Sequence, residues 1–194
     1  MSDHSDPRSR APRRGCGPDV LTTGRLILWP WHDRYAEDFV RLSGDERVMR
    51  LVGSGPWTRA YTLERHRQAL RQWRCEGFGL RAILYEGRFA GLVSLSPCPD
   101  PVFPAPAREI GWWLDPEFWG RGIATEAALA VRDEAFRLAT ATLVARCHPD
   151  NRPSKRIMGK LGMTFHGTGL DRYGGPCRIY AMPRPAGDGP PPGR

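Results

Sequence analysis

The chain has 194 residues, enough for one domain that buries a core without disulfides or a metal ion. It contains no run of about 18 apolar residues and no apolar stretch behind its charged N-terminus, so we expect no membrane span, no secretory signal and a cytoplasmic location. Its net charge of +8 comes almost entirely from dispersed arginines without a recognised nucleic-acid motif, which argues against a nucleic-acid partner but would attract an anionic ligand such as a polyphosphate cofactor.

The first half of the chain predicts one strand, two helices and a hairpin. A polar tail rich in Pro and Arg, 1–18, is expected to be disordered. Asp33 is the predicted N-cap of the first helix. In chain order, the other predicted elements are the strand Arg25–Trp29, the helix Thr62–Cys75, and the hairpin strands Gly79–Tyr85 and Arg88–Ser96.

The second half begins with a loop, Pro97–Ala107, whose five prolines exclude a helix or a central strand. The elements predicted after it are the strand Arg108–Leu114, the helix Ile123–Ala139, the strand Ala141–Cys147, the helix Asn151–Leu161, and two final strands at 163–169 and 177–182. We expect 19–183 to form a single domain, followed by a disordered tail rich in Pro and Gly at 184–194.

This order of elements predicts an α/β or α+β fold with one mixed sheet, because a single sheet flanked by helices buries both kinds of apolar face. The strand–helix–strand unit at 108–147 is predicted to be a right-handed crossover between parallel strands.

A glycine turn stands between the strand and the helix of this unit, in the segment Glu117-Phe-Trp-Gly-Arg-Gly-Ile-Ala-Thr. The first N–H groups of a helix have no intrahelical partner and carry the positive end of its dipole. Gly120 and Gly122 would let this backbone approach a phosphate closely, and Arg121 would add a charged contact. A plain strand-to-helix turn remains the alternative for two glycines alone. The P-loop is excluded because no Gly-Lys-Ser/Thr follows, and the dinucleotide fingerprint would need a third Gly or Ala where Thr125 stands.

Four blocks of the sequence together resemble the Gcn5-related N-acetyltransferases (GNAT), and within them the branch of ribosomal-protein N-terminal acetyltransferases of the RimJ/RimL type. The blocks are Thr23-Gly-Arg-Leu-Ile-Leu, Glu109-Ile-Gly-Trp-Trp-Leu, Phe118-Trp-Gly-Arg-Gly-Ile-Ala-Thr-Glu-Ala, and Asn151-Arg-Pro-Ser leading to Lys160-Leu-Gly-Met. They occur in the order of the family, and the resemblance spans roughly residues 21–182.

The resemblance implies the GNAT fold, a mostly antiparallel twisted sheet with one splayed parallel strand pair, and acetyl-CoA as the acetyl donor. It places the cofactor pyrophosphate on the backbone of 119–124 and the pantetheine arm along Trp112–Leu114. The implied cofactor contacts are Trp112, Trp113, Leu114, Trp119, Gly120, Arg121, Gly122, Ile123, Ala124, Thr125 and Asn151.

Acetyl transfer to an amine needs a base, because only the neutral amine attacks a thioester and free amines have pKa values of about 8 to 10.4. Glu109 is the candidate, on the strand that the cofactor arm should follow. Strand alternation places Glu109, Gly111 and Trp113 on one face and Ile110, Trp112 and Leu114 on the other. The alternative is that Glu109 only pairs with an arginine at an exposed strand end.

The departing thiolate needs a proton. Many of these transferases use a tyrosine on the helix after Asn151, but the matching residue here is Met158, so the resemblance points to Ser154 instead. The alternative is structural, since Asn151 also reads as a helix N-cap with Pro153 and Ser154 in the first turn.

The sequence therefore predicts direct acetyl transfer in a ternary complex, to a protein N-terminus or to a small amine such as an antibiotic or polyamine. No covalent acyl-enzyme is expected, because Cys147 lacks a convincing partner. The five scattered cysteines and five histidines show no metal-ligand spacing, so no metal is expected. Other hypotheses are a non-catalytic acyl-CoA-binding module, a transferase of longer acyl groups and, third, a nucleic-acid-binding protein. A monomer and a homodimer are both compatible with the sequence.

Overall fold

The computed structural model describes residues 20–52 and 55–185. The predicted tails, 1–18 and 184–194, lie outside these residues except for 184 and 185, and the Arg184 N–H donates to the Ala141 carbonyl (2.9 Å). Within the described ranges, no helix combines the length and apolar character needed to cross a bilayer. In the same ranges, no group of three or more His, Cys, Asp or Glu side chains is arranged to hold a metal ion.

Eight strands and five α-helices make up the described chain. They are β1 (Leu21–Thr22), β2 (Leu26–Pro30), α1 (Ala36–Gly44), α2 (Glu46–Met49), α3 (Arg59–Glu76), β3 (Leu80–Tyr85), β4 (Arg88–Pro97), β5 (Ala107–Leu114), α4 (Ile123–Arg137), β6 (Thr142–Cys147), α5 (Arg152–Lys160), β7 (Thr164–Leu170) and β8 (Pro176–Pro183). Short 3₁₀ turns precede α1 and α4.

The strands form one sheet in the order β1-β2-β3-β4-β5-β6-β8-β7. Every neighbouring pair is antiparallel except β5 and β6, which are parallel and are connected by α4. The predicted mixed sheet, mostly antiparallel with one parallel pair and flanked by helices, is confirmed.

Two apolar clusters cover the two faces of the sheet. On one face α4 and α5 pack over β2–β6, with Ala127, Val131 and Met158 against sheet residues such as Ile83 and Ile110. On the other face α1 and α3 bury an aromatic cluster that includes Trp31, Phe39 and Trp73. Burial of these faces is the main stabilising contribution, at roughly 25 cal/mol per Å² of apolar surface.

Several predicted boundaries are corrected by the structure. His32, not Asp33, caps the turn before α1, since its ring accepts from the Arg34 N–H (3.2 Å). Helix α3 starts at Arg59 rather than Thr62, because Thr58 supplies the N-cap side chain. Helix α4 ends at Arg137 rather than Ala139, whose φ of 58° is left-handed. The short elements β1 and α2 were missed because each is too brief to show a periodicity.

The Pro-rich segment is a loop as predicted, and it is anchored at both ends. Strand β4 continues to Pro97, and the Cys98 N–H donates to the Ala107 carbonyl (3.0 Å). Phe103 is buried in the middle of the loop against Val144 and neighbouring residues. The loop is therefore held against the end of the sheet where β5 and β6 are paired.

A buried ion pair joins the sheet to α4. Arg81 on β3 is 1% exposed, and its guanidinium is paired with Glu134 on α4, with the Nε–Oε2 distance at 3.0 Å. The same guanidinium donates to the Leu28 carbonyl (3.3 Å) and lies 4.8 Å from the Trp73 ring centroid. Sequence analysis did not detect this pair, because its partners are 53 residues apart.

Candidate active site

The two parallel strands separate part of the way along β5. Their register pairs run from Ala107↔Thr142 to Glu109↔Val144 and then stop. From Ile110 onwards β5 is paired only with β4, while β6 is paired with β8 along its whole length. The separation leaves a gap between β5 and β6 that begins beside Glu109. The backbone of Trp112–Leu114 faces this gap, and no strand within 20–52 or 55–185 pairs with it on that side.

The side chains of β5 alternate as predicted. Ile110, Trp112 and Leu114 pack in the cluster beneath α4. Trp113 joins the aromatic cluster on the opposite face, where its ring centroid lies 5.0 Å from that of Trp57. Glu109 lies on the Trp113 face, at the point where the strands part.

The turn before α4 presents backbone N–H groups to the gap. Gly120 and Gly122 have φ values of 76° and 77°, a left-handed region that favours glycine. Gly122 is the N-cap and offers no side chain to the helix, whose first intrahelical bond runs from the Glu126 N–H to the Gly122 carbonyl (3.0 Å). The N–H groups of Ile123, Ala124 and Thr125 therefore have no intrahelical acceptor, and the positive end of the helix dipole lies there.

A contact between the β1–β2 turn and α4 holds this turn, and the sequence analysis missed it. The Glu126 carboxylate accepts from the Thr23 hydroxyl (2.5 Å) and from the Arg25 Nε (2.8 Å). Arg25 also donates to the Arg121 carbonyl (3.1 Å). Burial opposes ionisation of Glu126, but the hydrogen bonds from Thr23 and Arg25 outweigh it and lower its pKa. Thr23 and Arg25 belong to the first block of the family resemblance. The sequence therefore singled out these residues but did not indicate that they contact Glu126.

One cavity of about 880 Å³ is lined by the turn before α4, by the gap between β5 and β6, and by Glu109. Of the residues predicted to contact the cofactor or to act in catalysis, those lining it are Glu109, Trp112, Trp113, Leu114, Trp119, Gly120, Gly122, Ile123, Ala124, Thr125, Asn151 and Ser154. Arg121 is the exception, and its guanidinium lies 5.8 Å from the Phe118 ring centroid. The indole of Trp119 donates to the Leu114 carbonyl (2.9 Å), which ties the turn to the end of β5.

Glu109 is held by two arginines. Arg146 on β6 donates to its Oε2 (2.6 Å), and Arg172, in the turn between β7 and β8, lies 3.4 Å from the same oxygen. Arg146 is also paired with Asp100 of the Pro-rich loop (2.8 Å). Within the described residues Oε1 of Glu109 accepts no hydrogen bond, so the carboxylate is held through one oxygen and the other is left without a partner there.

The N-terminus of α5 brings two further predicted residues to the cavity. Asn151 is its N-cap, and its Oδ1 accepts from the Ser154 N–H (3.1 Å). The Ser154 hydroxyl has no hydrogen-bond partner among residues 20–52 and 55–185. Met158, on the same helix, is buried. The structural reading of Asn151 is therefore correct, and it leaves the Ser154 hydroxyl available to a ligand.

Cys147 also lines the cavity, at the end of β6. Burial raises the pKa of its thiol to about 11, against a weaker opposing attraction from Lys155. A thiol with this pKa is almost entirely protonated at neutral pH and is a poor nucleophile.

The far end of the cavity is formed by α3 and by the β7–β8 turn, and sequence analysis did not single out these residues. Arg65, Gln68, Ala69 and Gln72 of α3 line it at the spacing i, i+3, i+4, i+7. The apolar residues of a helix predict which face is buried, but they do not show that a polar stripe on another face lines a cavity. The helical spacing of these four residues is visible in the sequence only after that face is known. Three aromatic residues of the first half of the chain, Trp31, Trp73 and Phe78, are buried in the core. Trp57 lines the cavity.

Comparison with known proteins agrees with this geometry. Residues 25–164 match the family model of the acetyltransferase (GNAT) domain. The curated FsC-acetyl coenzyme A-N(2)-transacetylase of Aspergillus fumigatus is 30% identical over 164 residues, covering 81% of this chain and 70% of the relative.

Solved structures share the fold. An acetyltransferase from Agrobacterium tumefaciens is 27% identical with a TM-score of 0.71, covering 89% of this chain and 99% of that one. A RimL ribosomal L7/L12 α-N-protein acetyltransferase in complex with coenzyme A is 18% identical with a TM-score of 0.71, covering 85% and 98%. The chain therefore belongs to the GNAT acetyltransferase family, and it is an N-acetyltransferase whose co-substrate is acetyl-CoA.

Proposed function

We propose that this enzyme moves the acetyl group of acetyl-CoA directly to a primary amine within a ternary complex. The observation that supports this most strongly is the shared cavity: one space of about 880 Å³ is lined by the α4 turn, by the gap between β5 and β6, by Glu109 and by Ser154. Donor and acceptor could therefore meet there without a covalent enzyme intermediate.

The donor end fits a pyrophosphate and an amide-bearing arm. The free N–H groups at the start of α4, beside Gly120 and Gly122, would bind the pyrophosphate, because they combine unpaired donors with the helix dipole. The gap-facing edge of Trp112–Leu114 would pair with the pantetheine amides, since no strand of the described part of the chain occupies that edge. The substrate thioester supplies the acetyl group, and the protein positions it.

Glu109 is the proposed proton acceptor for the attacking amine. Its Oε1 is free of hydrogen bonds from the described residues, and Oε2 is anchored by Arg146, so the side chain is held in place for proton transfer. The amine loses its proton to Glu109, directly or through one water, as the new C–N bond forms.

Ser154 is the proposed proton donor to the departing sulfur. Its backbone is fixed by the Asn151 cap, and its hydroxyl faces the cavity without a partner among the described residues. As the C–S bond breaks, the hydroxyl proton passes to the sulfur while the serine oxygen takes a proton from solvent water, so that CoA leaves as its thiol and Ser154 is restored. Cys147 has no covalent role in this scheme, because burial keeps its thiol protonated.

The relatives support a primary amine as the acceptor, without specifying which amine. The name of the Aspergillus relative describes acetyl transfer to a nitrogen, and RimL acts on a protein α-amine. MccE, 22% identical with a TM-score of 0.68 over 83% of this chain, was solved with acetyl-CoA and AMP. A peptide N-terminus and a small-molecule amine are both within this proposal.

A free-thiol release assay tests the proposal. Acetyl-CoA is supplied with a panel of peptides, amino acids, aminoacyl nucleotides, aminoglycosides and polyamines, and release is measured for the wild type and for Glu109→Gln. Turnover of any amine that depends on Glu109 supports it. Tight CoA binding with no turnover would favour a binding module, and faster release from a longer acyl-CoA would change the assigned donor.

A further inference from the structure

The acceptor end of the cavity is rich in arginine. Outside the α5 region, which contributes Asp150, Arg156 and Lys160, the basic residues lining the cavity are Arg47, Arg50, Arg65, Arg146 and Arg172, and the acidic ones are Glu109 and Asp171. Some of these arginines are already neutralised: Arg47 pairs with Asp45 (2.6 Å), and Arg146 pairs with Glu109 and Asp100.

Arg50 and Arg65 are different. No carboxylate in 20–52 or 55–185 lies within ion-pair distance of either guanidinium. The hydrogen bond found for Arg65 runs to the neutral Oε1 of Gln68 (2.7 Å). Two cationic groups therefore line the cavity with donors that no acidic side chain of the described chain neutralises.

The layout of α3 explains why Arg65 stays unpaired. Glu64 points to the outer face, where it accepts from Arg67 (2.7 Å) and Arg71 (3.1 Å). The cavity face, with Arg65 followed by Gln68 and Gln72, has no acid at all. The charge pairs of this helix are thus segregated from the face that lines the cavity.

Tyr173 connects Arg65 to the rest of the site. Burial raises the pKa of its phenol, and the nearby Arg172 and Arg65 partly oppose that rise. Both guanidiniums therefore act on the same hydroxyl, and Arg172 also contacts Glu109 (3.4 Å). Cationic groups thus extend from the proposed base to the α3 face of the cavity.

We infer that the acceptor is a primary amine on a molecule that also carries an anionic group, a carboxylate or a phosphate, which Arg65 and Arg50 bind while the amine reaches Glu109. This rests on the proposed function. An anionic group gains charge-assisted hydrogen bonds from planar guanidinium donors. Polycationic amines such as aminoglycosides and polyamines would meet like charges, so they are poor acceptors for this site.

The test measures kcat/KM for amines that differ in charge alone. Three tripeptides, each with an amidated C-terminus so that no terminal carboxylate is present, share one N-terminal residue and carry Glu, Gln or Lys at the second and third positions. Amino acids, aminoacyl nucleotides and spermidine extend the series. We expect the anionic members to exceed the cationic ones by about tenfold or more, with a KM for the anionic acceptor that rises with salt. Equal rates across the three charges would overturn the inference and leave the proposed function intact.

Variants assign the effect to Arg65. Arg65→Gln should raise the KM for an anionic acceptor about tenfold and leave that for a neutral acceptor unchanged. Arg74→Gln is the matched control, since it removes the same charge from the same helix at an exposed position that does not line the cavity. An equal effect of both variants, or none of Arg65→Gln, would overturn the inference. If the enzyme binds acetyl-CoA but acetylates no amine of the panel, the proposed function is overturned, and this inference with it.

Discussion

Replacing Glu109 by Gln is the sharpest test of the proposed chemistry, because it removes the charge and basicity but keeps the size of the side chain. At pH 7 an α-amine of pKa about 8 is roughly 10% neutral, so the reaction depends on a group that takes up its proton. Loss of general-base catalysis is expected to lower kcat about 10²-fold, equivalent to about 2.7 kcal/mol of transition-state stabilisation.

Glu109→Gln is expected to lower the free energy of unfolding by less than it lowers transition-state stabilisation. Arg146 keeps its ion pair with Asp100 (2.8 Å), and the amide oxygen introduced by Glu109→Gln could still accept from Arg146. Partly exposed pairs of this kind contribute about 1 kcal/mol or less. The loss of rate should therefore exceed any loss of stability, and thermal unfolding of the variant measures the latter.

Asp100→Asn is the matched control, because it removes the other carboxylate of Arg146 and leaves Glu109 in place. We expect it to lower kcat by less than about threefold. The assay is thiol release with an amine acceptor between about pH 6.5 and 9. The deficit of Glu109→Gln should shrink as the pH rises, because an amine of pKa about 8 is roughly 90% neutral at pH 9.

Two results would refute this reasoning. A Glu109→Gln enzyme whose kcat stays within about threefold of the wild type at pH 7 would remove Glu109 from the proton transfer. An equal loss in Asp100→Asn would show that the ion pair with Arg146, rather than the basicity of Glu109, sets the rate.

Four further outcomes are expected. Ser154→Ala should lower kcat about tenfold or more with little change in KM, whereas a loss confined to KM in steady-state assays would assign Ser154 to binding. Gly122→Ala should weaken CoA binding in calorimetry, because alanine disfavours a φ of 77° by about 1–2 kcal/mol and would distort the turn that is proposed to bind the pyrophosphate. An unchanged affinity would contradict this pyrophosphate site. Glu134→Ala should destabilise the fold by about 3–5 kcal/mol in urea unfolding by leaving the Arg81 charge buried, while the double variant with Arg81→Met should recover most of that loss; an unchanged midpoint in the single variant would refute the argument. Cys147→Ala should retain activity, and iodoacetamide should label Cys147 faster only as the pH rises toward its pKa of about 11; rapid labelling at pH 7 would contradict the buried-thiol assignment.

The sequence by itself determined the features that depend on neighbours along the chain. The turn at Gly120 and Gly122, the alternation of β5 and the N-cap at Asn151 were all predicted, because backbone conformation and capping act over a few residues. The order of the predicted strands and helices gave the mixed sheet. The family resemblance used local blocks of the sequence, and from them came the candidate residues Glu109 and Ser154.

Tertiary structure alone decided which distant charges meet. Arg146 reaches Glu109 across 37 residues, Arg25 reaches Glu126 across 101, and Arg81 reaches Glu134 across 53. No local pattern specifies such pairs, since a charged residue in a strand or helix has the same signature whichever partner the fold supplies. Tertiary structure also decided the orientation of the α3 face that carries Arg65. The helical spacing of its residues is present in the sequence, but only packing of α3 against the sheet directs that face toward the cavity.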